Sequence, residues 1–260
     1  MLKPEELEMA GISSVSRFSN RSENYAKFRP GYPEDLFPFI EKTIQLHPAA
    51  NIVDIGSGTG LFAEPLLNRG YSVVCIEPNK DMRRAGEQRL KKYSLFQSIR
   101  TTAEDTGLPA QSADLITVAQ TFHWLDPVAA QIECKRIIKP NGQVILAWNR
   151  QMKNSDFEKR YSALRAKYRI GERGPTQIEP ALIADFFAPR ISSSKIFANK
   201  QLLDFEGLKG QLLSKSYIPL PGHDLYDAMI TDLIQLFIAF NENGLVRIDY
   251  ETLLYWGKLN

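Results

Sequence analysis

The order of apolar and polar positions divides the chain near residue 149. Before that point, short and nearly continuous apolar runs alternate with longer segments whose apolar residues recur at helical spacing. The runs are NIVDIG, SVVCIE, FQSIRTT, ADLITVAQ and QVILAW. Helices fit the segments around them: PEDLFPFIEKTIQL with Pro33 as its first residue, LFAEPLLNR stopped by Gly70, KDMRRAGEQRLKKY, and DPVAAQIECKRII closed by the turn KPNG. Strands that are apolar at successive positions are covered on both faces. Strand–helix alternation with right-handed crossovers then predicts an α/β fold, a doubly wound and mostly parallel sheet.

After Asn149 the pattern changes. A helix fits SDFEKRYSALRAKY, followed by the loop GERGPTQIEP and a strand in SSSKIFANKQLLDF. GLKGQLLSK and DLYDAMITDLIQLFIAF read as helices, and VRIDYETLLYWGKL reads as a final strand. The expectation is a single domain over 1–260, with a core at 25–150, a helical cap with one sheet strand at 151–245, and a last strand at 246–260.

Composition narrows the class. With 260 residues, 43% hydrophobic and 24% charged, the chain resembles an ordinary globular domain able to bury its own core. Its two cysteines, Cys75 and Cys134, fall in an apolar run and a helix, so they are expected to be buried free thiols, which fits a cytoplasmic location. The N-terminal MLKPEELEMAG has no apolar core, and the longest apolar run, LIQLFIAF, is too short to span a membrane. A net charge of +2 does not by itself imply nucleic acid, and the basic stretch MRRAGEQRLKKY reads as the solvated face of a helix.

The chemistry concentrates in VDIGSGTG, where Gly56, Gly58 and Gly60 follow a strand. Glycine at this density lets backbone approach a ligand, and the helix start that follows is suited to an anion. A dinucleotide fingerprint needs G-x-G-x-x-G, but Leu61 stands at its third position, and no G-K-[ST] follows for a P-loop. Glu77 ends the second strand about twenty residues after the first glycine, where a carboxylate accepts from both ribose hydroxyls. Asp54, an acid among apolar neighbours, needs a partner: the loop amides or an ammonium group. A nucleoside without a pyrophosphate is the expected ligand.

These residues carry a family resemblance. VDIGSGTG resembles motif I of the class I S-adenosylmethionine-dependent methyltransferases, and CIEPNKDM resembles their second-strand motif. TAEDTGLPAQSADLITVAQTFHWLD is similar to the third and fourth strands of the small-molecule subset called type 11. FHW and RPGYP resemble the trans-aconitate methyltransferase-like group within it. The resemblance implies a Rossmann-like seven-stranded sheet with an antiparallel last strand and S-adenosyl-L-methionine as cofactor. By position it implies cofactor contacts at Tyr25, Arg29, Asp54, Gly56, Ser57, Gly58, Gly60, Glu77, Pro78, Ala103, Glu104, Gln120 and Phe122. Many members carry Asp in a GDA triplet where this chain has TTA, so Glu104 takes over as the expected acceptor for the adenine amino group.

Methyl transfer from a sulfonium is an in-line displacement, so the protein mainly aligns the reacting atoms. AQTFHW lies at the carboxyl end of the fourth strand, the edge where open α/β sheets bind ligands. His123 is the candidate general base, or else a shaping residue of the pocket. Tyr32, His123, Trp124 and Arg150 are the expected substrate pocket, and Arg29 with Arg150 suits a carboxylate. No zinc-ligand spacing occurs, so no metal is expected. The expected activity is methyl transfer to an oxygen or nitrogen, including a carboxylate, of a small molecule. Alternatives are a nucleic-acid methyltransferase, disfavoured by AQTF in place of [DN]-P-P-[FYW], a dinucleotide oxidoreductase, disfavoured by Leu61, and a non-catalytic nucleoside-binding protein.

Overall fold

The computed structural model describes residues 21–171 and 179–260. Most of GERGPTQIEP lies outside them. In chain order the elements are α1 (Ser22–Phe28), α2 (Leu36–Ile44), β1 (Asn51–Ile55), α3 (Ala63–Asn68), β2 (Ser72–Ile76), α4 (Lys80–Leu90), β3 (Phe96–Ile99) and β4 (Ala113–Ala119). Then follow a 3-10 turn (Phe122–Trp124), α5 (Pro127–Ile137), β5 (Ile138–Gln151), α6 (Asp156–Lys167), α7 (Pro180–Phe187), β6 (Ser193–Leu203), α8 (Phe205–Leu213), α9 (Tyr226–Phe240) and β7 (Val246–Gly257).

The seven strands form one sheet in the order β3-β2-β1-β4-β5-β7-β6. Strands β1 to β5 pair in parallel, and β7 runs antiparallel to both β5 and β6. One face is covered by Leu36, Phe37 and Ile40 of α2, Leu66 of α3 and Leu90 of α4. The other face meets Cys134 and Ile137 of α5, and Ile183 and Phe187 of α7. Burial of each such Leu, Ile or Phe side chain contributes about 1.5–3 kcal/mol. Both cysteines are buried and free. Among the described residues no helix is long and apolar enough to cross a membrane.

Local signals explain most boundaries. Asn79, Asp126 and Ser155 cap α4, α5 and α6 by accepting from backbone N–H groups in the first turn. Ser155 and Glu158 form a reciprocal capping box. The basic stretch of α4 is largely engaged in ion pairs: Arg83 with Glu87, and Arg89 and Lys92 with Glu64.

Several expectations need correction. Helix α2 begins at Leu36, not Pro33, because Pro33 instead accepts the Leu36 N–H in a preceding turn. The KPNG stretch lies within β5, where the register against β4 jumps from Ala113↔Ile138 to Leu115↔Gln143, a bulge that absorbs the turn. The last strand, β7, serves both sheet and cap. Beyond Tyr250 and Asn199 the β6–β7 ribbon leaves β5 and enters a third core, where Val246, Ile248 and Leu203 pack with α6, α8 and α9. Conversely, α7 and Phe197 belong to the main cores.

Helix α1 joins cap to core. Phe28 packs so closely on α8 that a Cβ at Gly210 would lie 2.0 Å from its ring. Arg21 donates to the carbonyls of Leu213, Lys215 and Ile218 at 2.9, 2.7 and 2.6 Å, and Arg89 of α4 donates to Ala26 O at 3.0 Å.

Candidate active site

A cavity of about 1180 Å³ opens at the carboxyl edge of the sheet and runs under the cap. Its walls come from the segments just after β1, β2, β3, β4 and β5, together with α1 and the cap. This is the edge where the helices diverge and strand tips are accessible.

The glycine loop forms the first wall. Gly56 has φ +63°, and a Cβ there would lie 2.1 Å from Thr121 Cγ2. Thr121 fixes this contact by donating to Gly56 O at 2.9 Å. The loop's amides are turned inward: Ser57 N donates to Ile76 O, Gly60 N to Ser57 O, and Gly58 N to Glu77 Oε2 at 2.8 Å. These three amides therefore do not cradle an anion.

Acids line this half of the cavity. Glu77 is buried, and its Oε1 accepts from Asn79 N at 2.8 Å, so the carboxylate bridges the glycine loop and the start of α4. Burial pushes its pKa up, against the backbone donors of Asn79 and Gly58. Asp54 is 1% exposed. Its Oδ1 accepts from Thr117 Oγ1 at 2.6 Å, while Oδ2 has no partner. Burial raises Asp54 to about 7, and Glu77 adds to the rise. Glu104 accepts from Asp126 N at 3.2 Å. The loop carrying Thr102, Ala103 and Glu104 is braced by Glu133, which accepts from Thr106 N at 2.8 Å and pairs with Arg136.

The β4 tip forms the next wall. Gln120 has φ +60°, a costly conformation for a residue with a Cβ, held by its N–H to Ala147 O at 2.8 Å. His123 follows, its ring 4.8 Å from that of Trp124. Burial lowers His123 to about 4, so the imidazole is neutral at physiological pH.

Of the residues expected from sequence, Tyr25, Arg29, Tyr32, Asp54, Gly56, Ser57, Gly58, Glu77, Pro78, Ala103, Glu104, Gln120, His123, Trp124 and Arg150 all line this cavity. Two expected cofactor contacts do not. Phe122 is buried against Phe186 and Trp148 in the core. Gly60 faces α4, where a Cβ would lie 2.6 Å from Leu90. Arg150 borders the cavity, but its guanidinium pairs with Glu251.

The sequence reading missed several site residues. Asn79 was legible as a helix cap. Gly86 of α4 lets the helix approach the loop, since a Cβ there would lie 3.0 Å from Gly58 O. Arg165, Gln151 and Lys215 line the same cavity from the cap side, and only the tertiary fold brings them to it.

Residues 53–146 match the family model of the methyltransferase domain. An uncharacterized methyltransferase of Mycobacterium tuberculosis is 34% identical over 129 residues, 48% of this chain and 49% of that protein. The chain thus spans about half the length of these curated relatives. A candidate type II methyltransferase from Anaeromyxobacter dehalogenans shares the fold with a TM-score of 0.67 at 20% identity, over 89% of this chain and 98% of that one. Phosphoethanolamine N-methyltransferase 2 of Haemonchus contortus, solved in complex with S-adenosyl-L-methionine, matches with a TM-score of 0.53 at 13% identity, over 98% of this chain and 60% of that one.

Proposed function

We propose that this chain, whose residues 53–146 match the family model of the methyltransferase domain, is an S-adenosylmethionine-dependent methyltransferase acting on a small molecule in the cytoplasm. The observation that carries the reading is the chemistry of the half-cavity around the glycine loop. It offers the carboxylates of Asp54, Glu77 and Glu104, while the loop amides at Ser57, Gly58 and Gly60 are turned away. Such a wall takes hydroxyls, an amino group and an ammonium. It does not suit a pyrophosphate.

Glu77 would hold the ribose hydroxyls with the second lone pairs of its two oxygens. The unpartnered Asp54 Oδ2 would take the ammonium group. Glu104 and the Ala103 backbone would flank adenine. Arg29, stacked 4.7 Å over the Tyr25 ring and with a buried Nε lacking a partner, would meet the carboxylate. When bound, S-adenosylmethionine supplies an electrophilic methyl group on a cationic sulfur.

The chain's own contribution is alignment and exclusion of water. Gln120, His123 and Trp124 line the cavity at the tip of β4. Neutral His123 has a lone pair to accept a proton from a hydroxyl or amine; a carboxylate acceptor makes no such demand. A small acceptor is supported by the depth of the far end, where Tyr250 and Gln211 are buried under the cap. The free buried thiols fit a reducing compartment.

Asp54 makes this reading testable by pH. Its native pKa is raised to about 7 from 3.8, so between those values the native protein holds a proton that the unfolded chain has lost. That contribution to stability is present at low pH and disappears as pH rises through 7. An ammonium ligand favours the ionised carboxylate, so binding releases the proton. S-adenosylhomocysteine is therefore expected to bind about tenfold more tightly at pH 8 than at pH 6. Asp54→Asn should flatten the profile. Calorimetry across this range decides; identical profiles for the two proteins would remove Asp54 from the site.

A further inference from the structure

The cap side of the cavity has the opposite charge character. Arg165 of α6 is 8% exposed and lines the cavity. Its Nε reaches Tyr161 O at 3.4 Å, and its guanidinium stacks 4.9 Å from the Tyr161 ring. Among the described residues no Asp or Glu pairs with it. Glu158, two turns earlier, is engaged by the amides of Asn154, Ser155 and Asp249. A buried guanidinium without an anion is an expensive arrangement, and its remaining donors call for oxyanion acceptors.

A second observation points to the same place. The Gln151 amide has both Nε2 and Oε1 buried without partners. Gln151 lies directly across from Tyr250 in the β5–β7 register, and cross-strand partners share a sheet face. The Tyr250 phenol is in turn close enough to Arg29 and Arg165 to feel both charges. The surrounding polar groups are satisfied among themselves. Tyr161 donates to Gln211 at 2.6 Å, Gln211 to the Tyr250 hydroxyl at 2.9 Å, and Tyr250 to Gln201 at 2.8 Å. Arg165 and Gln151 line the cavity alongside this chain of bonds and take no part in it. Lys215, also buried, adds positive charge to the same wall.

We propose that the molecule bound beneath the cap carries a compact oxyanion, a carboxylate or a phosphate monoester, gripped by Arg165 with the Gln151 amide donating beside it. The inference rests on the methyltransferase reading for the role of that molecule as methyl acceptor. It makes Arg165 and Gln151 the residues that select the acceptor by charge.

The test uses matched acid and neutral probes: 4-hydroxybenzoate against 4-hydroxybenzamide, succinate against succinamide, and glycerol 3-phosphate against glycerol. Each is titrated calorimetrically into the full-length protein with and without S-adenosylhomocysteine. An acid is expected to bind at least tenfold more tightly than its neutral partner, and the arm that responds distinguishes carboxylate from phosphate. Arg165→Gln and Gln151→Leu should each remove most of that preference, with Arg165→Lys retaining part of it and S-adenosylhomocysteine affinity unchanged in all three. No preference in any arm, or a preference that survives Arg165→Gln, overturns the proposal. Failure of S-adenosylhomocysteine to bind strikes the methyltransferase reading instead, while the titrations without it still decide the anion site.

Discussion

Replacing Glu77 with alanine is expected to weaken S-adenosylhomocysteine binding by about 100-fold or more. Two losses combine. The carboxylate that would accept the ribose hydroxyls is removed, and each hydrogen bond to a charged group contributes about 1.5–3 kcal/mol. The same oxygens also accept from Gly58 N and Asn79 N at 2.8 Å, so alanine leaves one partly buried and one buried donor unsatisfied and frees the glycine loop from α4. Glu77→Gln keeps the shape and one carbonyl acceptor and should fall between wild type and alanine. Calorimetry on protein whose folding has been checked by circular dichroism makes the comparison. An alanine variant that binds within about threefold of wild type would show that Glu77 serves only to brace the loop.

Gly56→Ala is expected to have the largest effect on stability. A Cβ at this position would lie 2.1, 2.7 and 2.8 Å from the Cγ2, Cβ and Oγ1 atoms of Thr121. These are atoms of a β-branched side chain held by its bond to Gly56 O, so it has little freedom to move away. The backbone at φ +63° adds roughly 1–2 kcal/mol for any residue with a Cβ. Together the two terms amount to about 3 kcal/mol or more, which lowers the melting temperature of a domain this size by about 6–12 °C. Adding Thr121→Gly should recover the steric part and leave the backbone part. Gly58→Ala is the control: its Cβ would meet the flexible Met82 Cε at 3.3 Å and Gly56 O at an ordinary 4.0 Å, so the penalty should be mainly that of the backbone. A Gly56→Ala protein melting within about 2 °C of wild type would refute the packing argument.

These two residues were visible in the sequence for physical reasons. Buried parallel strands need apolar residues at successive positions, so β1, β2 and β4 stood out as runs, and an acid at the tip of β2 stood out against them. In the structure Asn79, Asp126 and Ser155 fix the starts of α4, α5 and α6 by accepting first-turn N–H groups. Other features had no such signature. Helix α1 buries none of its own residues deeply, and α7 is a short apolar segment without a readable period. Motif position gave the neighbourhood of Phe122 and Gly60 but not the direction in which they face, and both turn to packing. Arg165 looked like one more charge on a polar helix. Its burial comes from α8, α9 and the outer part of β7 closing around α6, contacts between segments far apart in the chain.

On the proposed reading, the acid-lined half of the cavity accepts a nucleoside with an ammonium group and no phosphate. Parallel calorimetric titrations of the full-length protein with S-adenosylhomocysteine and with NAD test it most directly. Saturable binding of S-adenosylhomocysteine, lost in Glu77→Ala, and no binding of NAD are expected. Saturable binding of NAD with none of S-adenosylhomocysteine would contradict it.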